Sequence, residues 1–471
     1  MHARGVNVGS PHPAAPRTLL GVVALGSFLS SMASSVLNVA LPDMARDLGV
    51  DPARAGWFML SFLLTITALL LSAGRLGDLI GHSRTYLVGF ALFGIGALAC
   101  AIAPSALLLD LARVAQGVGS ALVLASSPAL ITLSVPPAQR GSGLGLMSTA
   151  VYLGLAIGPP IGGILVAHLG WRSIFMAAAG AAAVILVVGL KTLPRTPRAG
   201  ATVGFDPVGS ALIAAALLAL LLVCTRGPVW GLMHPATLAL GALVLTLFPL
   251  FLWVEAHHSA PTVDLKLFGS IIFSAAALSA ALNYLSMFTI LFMLPFALRD
   301  GRGMAPEIVG RVLAAQAGGM ALFAWAAGAL ADRIGSRGLA ATGMSILALG
   351  SAGLAWSWPT SGAWTPAVWM FVCGAGTGIF ISPNSSALMG SAPQNRQGIA
   401  GGVMALARNL GMALGVAVGS GLFASVLADR HGPLSWSQAA DGVVQLGFGV
   451  GAGLALLAGA IAFAAPMFRR P

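Results

Sequence analysis

Asp110 and Arg113 stand three residues apart in a run, 106–133, that holds no other charged side chain. On a helix this spacing places both on one face. A carboxyl beside a buried cation titrates in response to its surroundings, which is what a proton relay requires. The expectation is that ionised Asp110 holds Arg113 and that protonation releases it. A purely structural ion pair near one membrane interface explains the same two residues. Arg113 is the more informative, because an ionisable group deep in an apolar helix is costly and marks function by default.

Further polar side chains interrupt the apolar runs: Asn38, Gln116, Tyr152, Asn283, Tyr284, Gln316, Asn384, Arg408 and Asn409. Each is a candidate for lining a cavity, and each is also explained by a satisfied hydrogen bond between helices. Gly154, Gly158 and Gly162 recur every fourth residue beside Pro159, Pro160 and Gly163. Four-residue spacing makes one smooth helix face that permits backbone-to-backbone packing, and the prolines remove backbone donors and kink or stiffen the helix. Gly74, Asp78 and Gly81 read as a tight turn, with Asp78 able to pair with a basic side chain or a helix N-terminus.

Other chemistries lack their residues. No Gly-x-x-x-x-Gly-Lys-Ser/Thr string occurs, which excludes an ATP-driven pump within this chain. The clustered His, Asp or Cys that a membrane-embedded enzyme needs is missing. Cys100, Cys224 and Cys373 lie in apolar runs and read as small buried hydrophobes. No cofactor and no metal is expected.

These residues must be held by membrane-spanning helices. The chain is 58% hydrophobic and 8% charged, against roughly a quarter charged in an ordinary soluble domain. Thr18–Pro42, Ala55–Gly74 and Val208–Thr225 carry no charge at all, and a span needs about 20 such residues. Fourteen spans are predicted, near 18–42, 55–74, 85–104, 106–133, 142–167, 173–193, 208–226, 235–254, 270–298, 308–330, 339–357, 364–390, 399–427 and 442–466. An even count puts both termini on one side. That side collects 14 of the basic residues, Arg140, Lys191, Arg195, Arg198 and Arg396 among them, against 8 on the other, so the termini are expected in the cytoplasm. With the charges scattered singly between spans, the lipid bilayer rather than nucleic acid is the expected partner.

The chain repeats itself. Gly74–Gly81 recurs as Gly328, Asp332, Arg333 and Gly335; Ser127-Pro128 recurs as Ser382-Pro383; and the Gly154 series recurs as Gly411, Gly415 and Gly419, at offsets of 254, 255 and 257 residues. The reading is an all-α membrane protein with six-helix halves at 1–193 and 270–471. Residues 194–269 form a linker plus two inserted spans. Parallel repeats around a midplane site are a transporter architecture.

These motifs, in this order, resemble the fourteen-span drug:proton antiporter branch of the major facilitator superfamily. Gly74-x-x-x-Asp78-x-x-Gly81 is similar to the superfamily's signature between spans 2 and 3, and Arg113-x-x-Gln116-Gly117-x-Gly119 to its span 4 motif. Gly154-x-x-x-Gly158-Pro159-Pro160-x-Gly162-Gly163 resembles the span 5 motif of antiporters. Asn38–Pro42, Trp171–Phe175 and Ala407–Gly411 also resemble that branch. The resemblance implies a plasma-membrane exporter of drugs or other small apolar molecules, exchanging them for protons and using no nucleotide. It implies a proton-handling role for Arg113 and a latch between the halves for the duplicated signature. Four residues depart from the pattern. Leu79, His82 and Ser83 replace the usual basic residues, and Ala33 stands where an acidic residue is usual in span 1. An uncoupled facilitator or importer of the same fold is the alternative, with a non-transporting sensor or enzyme as a further rival.

Overall fold

The computed structural model describes residues 17–135, 140–194, 196, 206–231, 233–258, 265–358, 362, 364–393, 397–428 and 436–464. Both termini and most of the predicted 194–207 linker lie outside them. The described residues form helices and no strand, as a chain without water to satisfy its backbone requires.

The order is α1 (Arg17–Ser35), α2 (Leu37–Asp47), α3 (Pro52–Ala55), α4 (Trp57–Ile80), α5 (His82–Ala101), α6 (Ala106–Ser134), α7 (Arg140–Leu169) and α8 (Arg172–Thr192). Then come α9 (Pro207–Trp230), α10 (Pro235–His257), α11 (Ile271–Phe296), α12 (Pro306–Ile334), α13 (Ser336–Ser357), α14 (Thr365–Ser391), α15 (Gln397–Ala428) and α16 (Trp436–Ala464). Among the described residues, 13 helices are long and apolar enough to cross a membrane. The 29-residue α12 occupies the remaining place in the predicted order.

Two predicted boundaries change. The first span is broken at Val36, so that α1 hands over to α2, which runs on to Asp47 with Pro42 inside it. The second span continues as helix to Ile80, so Gly74 and Asp78 sit in the last turns of α4 rather than in a loop. Only Gly81 makes the turn, at φ +95°, and its counterpart Gly335 turns α12 into α13 at φ +89°. Both are left-handed backbone, open to glycine at little steric cost. The repeat seen in the sequence is thus a repeat of backbone geometry.

The glycine faces explain the helix pairing. A Cβ at Gly154, Gly158 or Gly162 would strike the backbone or side chains of α1 between Phe28 and Ser35, or Val36 just beyond it. A Cβ at Gly411, Gly415 or Gly419 would strike α11 at Ala281, Leu285 and Phe292 in the same way. So α7 lies on α1, and α15 on α11. The pair α9 and α10 sits to one side, with α9 packed on both α4 and α15 and tied to α4 by a 2.6 Å hydrogen bond between Ser72 and Ser210. Large apolar side chains such as Leu245, Ile102 and Trp356 point outward, which is ordinary in lipid and costly in water.

Candidate transport site

Fourteen crossings bring α16 back to the face where α1 begins (the terminal face); the opposite side is the distal face. Contacts joining the first six crossings to the last six gather at the distal face. Arg299 follows α11 and donates to Asp43 of α2 at 2.5 Å, while Arg46 lies 2.8 Å from Asp43 and 3.8 Å from Asp300. His168 lies 3.3 Å from Glu307. Beneath these contacts α7 and α12 touch through glycine: a Cβ on Gly163 would be 3.0 Å from Gly310 Cα, and one on Gly310 3.1 Å from Gly163 Cα. Two glycines let the backbones meet, and the charged pairs close the seam above them.

Toward the terminal face the halves face each other across a narrow crevice of about 10 Å³. Tyr152 of α7 faces Tyr284 of α11, Phe380 and Asn384 of α14, and Met404 and Arg408 of α15 across it. Four predicted cavity residues, Tyr152, Tyr284, Asn384 and Arg408, are therefore brought together from four helices. Arg408 lies 11 positions past Gln397, about 16 Å along the axis. It is 9% exposed. Asn384 Nδ2 donates to Ala276 O at 2.9 Å, leaving Oδ1 without a partner, and the buried Tyr284 hydroxyl faces that of Tyr152.

The other predicted cavity residues lie elsewhere. Asn38 donates to Ser35 O at 2.9 Å beside the α1–α2 break, and Asn409 turns back on Ala405 O at 2.8 Å. Buried Asn283 has neither amide atom hydrogen-bonded. Gln316 is buried where the α12 backbone meets Gly374. Gln116 belongs to the Arg113 cluster.

That cluster differs from the expected pair. Arg113, 1% exposed, donates through Nε to Phe58 O at 2.9 Å and through a terminal nitrogen to Gln116 Oε1 at 2.6 Å. Its guanidinium stacks 4.0 Å from the Phe62 ring centroid. The ion pair of Asp110 is with Arg54 of α3, at 2.5 Å, and its second oxygen is buried without a partner. The expectation that Asp110 holds Arg113 is thereby corrected. A shared helix face does not make a pair when one side chain lies a turn deeper and a short helix brings another cation to the nearer one.

Sequence reading also missed two acids of the inserted pair. Asp206 caps α9 by accepting from Gly209 N at 2.8 Å, and Glu255 lies near the end of α10; both are buried. Asp206-Pro207 is a recognisable helix start, but nothing in the sequence signals burial. The Trp171-Arg172 string, by contrast, gains a role. Arg172 donates to Asp47 at 2.6 Å and Trp171 Nε1 to the same carboxylate at 3.1 Å, tying α2 to the α7–α8 turn. Those two hydrogen bonds, Arg172's the larger influence, hold the Asp47 carboxyl below its usual range.

The duplicated signature latches locally in its first copy. Asp78 contacts His82 at 3.1 Å and Arg75 at 3.4 Å, and the His82 hydrogen bond is the main cause of its lowered pKa. Ser83 donates to Pro194 O at 2.5 Å, and its backbone N–H to Thr196 Oγ1 at 3.1 Å. These contacts join the α4–α5 turn to the segment after α8. In the second copy, the side chains of Asp332 and Arg333 lie outside the described residues.

Comparison with known proteins agrees with this architecture. The model of the Major Facilitator Superfamily matches residues 23–282, 208–416 and 276–471. The chain is 30% identical to the riboflavin transporter RibZ of Clostridioides difficile over 409 residues, 87% of this chain and 88% of that protein. It is 31% identical to the multidrug resistance protein Stp of Mycobacterium tuberculosis, over 87% of this chain and 76% of that protein. The tetracenomycin C resistance and export protein of Streptomyces glaucescens is 31% identical, over 92% of this chain and 79% of that protein. Among solved structures, the peptide transporter POT superposes with a TM-score of 0.67 at 18% identity, covering 96% of both chains. The xylose transporter XylE of E. coli superposes with a TM-score of 0.65 at 15% identity, covering 96% of this chain and 97% of that one.

Proposed function

The chain belongs to the major facilitator superfamily and is a multi-pass membrane transporter, and from that premise we propose that it exports small, largely apolar molecules from the cytoplasm in exchange for protons. The observation that carries the proposal is the crevice between the halves, closed at the distal face by the Asp43–Arg299 pair and the Gly163–Gly310 contact. With the terminal face in the cytoplasm, as the basic-residue count favours, widening of this crevice would admit a substrate for export across a plasma membrane. Relatives named for drug resistance and export support the direction. Each half keeps its own glycine-packed helix pair, and the two halves rock about the crevice.

Asp110 is the proposed coupling group. Half of its carboxylate is engaged by Arg54 and half is unpartnered in a buried setting, so protonation would loosen α3 from α6 at the distal face. In everted vesicles the wild type is expected to accumulate a hydrophobic dye only while the lumen is acidic. The Asp110→Asn variant should bind the dye but carry it only to equilibrium, at a rate indifferent to the gradient. If the wild type only equilibrates the dye, whether or not the lumen is acidic, the uncoupled reading is the right one. An unchanged response in Asp110→Asn would move the coupling site elsewhere, with buried Asp206 and Glu255 next in line.

The orientation has its own test. A Gly200→Cys variant on a background without Cys100, Cys224 and Cys373 should resist an impermeant thiol reagent in intact cells and react in everted vesicles. Labelling from outside would reverse the topology, and with it the direction of loading.

A further inference from the structure

The crevice carries a positive charge and no negative one. Arg408, nine-tenths buried, has neither a hydrogen bond nor an ion pair among the described residues. The phenolic hydroxyls of Tyr152 and Tyr284 belong to the same lining and face each other. These three are all hydrogen-bond donors. Acidic side chains are elsewhere. Residue 33 of span 1 is Ala, Asp110 is held by Arg54 toward the distal face, and Asp206 and Glu255 belong to the inserted pair. The Arg408 guanidinium nitrogens are not shut off from solvent, and the protein places no opposing charge beside them.

We propose that the substrate supplies it: the transported molecules are apolar compounds bearing one acidic group, a carboxylate or a comparably acidic hydroxyl, which Arg408 engages with the two tyrosines. The guanidinium presents a planar fork suited to two acceptor oxygens. Phe380 and Met404 offer the apolar, deformable wall against which a ring system lies. A cationic molecule of the same shape meets like-charge repulsion from Arg408 and finds no carboxylate to offset it. This deepens the export reading by naming the substrate class, and it rests on that reading only for the direction of movement.

The test separates binding from transport. Purified full-length protein is titrated with fluorescein, an anionic aromatic dye, and with rhodamine 6G, a cationic one of similar ring system; the same dyes are then offered to energised everted vesicles. The wild type should bind fluorescein in preference to rhodamine 6G. Arg408→Gln should weaken fluorescein binding at least about tenfold, the loss of a charge-assisted hydrogen bond. Arg408→Lys keeps the charge without the fork and should retain part of the affinity, which guards against a merely misfolded variant. Arg408→Glu should shift preference toward rhodamine 6G. Preference of the wild type for rhodamine 6G, binding of neither dye, or unchanged fluorescein affinity in Arg408→Gln would each overturn the proposal. Arg408-dependent fluorescein binding without accumulation in vesicles would leave it standing and count against export instead.

Discussion

Replacing Gly158 by leucine is expected to abolish transport while leaving the protein in the membrane at near-normal levels. Gly158 faces the break between α1 and α2: a Cβ there would collide with Ser35 Oγ and lie 3.0 Å from the backbone nitrogen of Val36. A four-carbon side chain cannot fit unless α7 withdraws from α1. Overpacking a filled interior costs about 1–3 kcal/mol, which a large helical membrane protein can absorb. Alternating access is less forgiving, because α7 also carries Gly163, whose contact with Gly310 joins the halves. Moving α7 off α1 misplaces that contact. Dye efflux from cells, measured beside membrane abundance by immunoblot, checks the result. Gly158→Ala should fall between, since Ser35 is a small side chain that can rotate aside. Normal efflux by Gly158→Leu would remove the packing role assigned to this face.

Arg113→Ala should be as damaging for a different reason. The side chain ties α6 to α4 through Phe58 O, braces Gln116 on its own helix, and lies over the Phe62 ring. Hydrogen bonds from a charged group contribute about 1.5–3 kcal/mol each, and a desolvated cation–π contact about 2 kcal/mol or more. Losing them together is expected to reduce efflux by about two orders of magnitude or more, at about 1.4 kcal/mol per factor of ten. Arg113→Lys should recover little, because an ammonium has no planar fork with which to reach Phe58 O and Gln116 while stacking on Phe62. Efflux assays of both variants, with abundance as control, decide the matter. Full activity in Arg113→Lys would show that charge alone matters and that the fork geometry does not.

The two variants mark different depths of legibility. The Gly158 face was readable because four-residue spacing is a one-dimensional signal: every fourth residue of a helix returns to nearly the same side, whatever surrounds it. What lies opposite that face, the Val36 break, was not readable, since the sequence there continues without a charge, glycine or proline to mark it. The charge partners were less legible still. Asp110 and Arg113 share a helix face, yet Asp110 pairs with Arg54 and Arg113 with a backbone carbonyl and an amide. The same holds for Asp47, whose Arg172 partner is 125 residues away.

The sequence by itself determined that this chain lives in a bilayer, crosses it in helices and repeats its first half in its last. Run length, charge scarcity and periodic spacing are properties of the chain that lipid reads directly. Only the tertiary structure decided which polar residues meet. Tyr152, Tyr284, Asn384 and Arg408 come from four helices, separated by up to 256 positions, and only α7, α11, α14 and α15 packed together set them around one crevice. Helical periodicity specifies the direction in which a side chain points. The depth it reaches, and the group it finds there, depend on how neighbouring helices tilt, break and approach, and that is decided by packing.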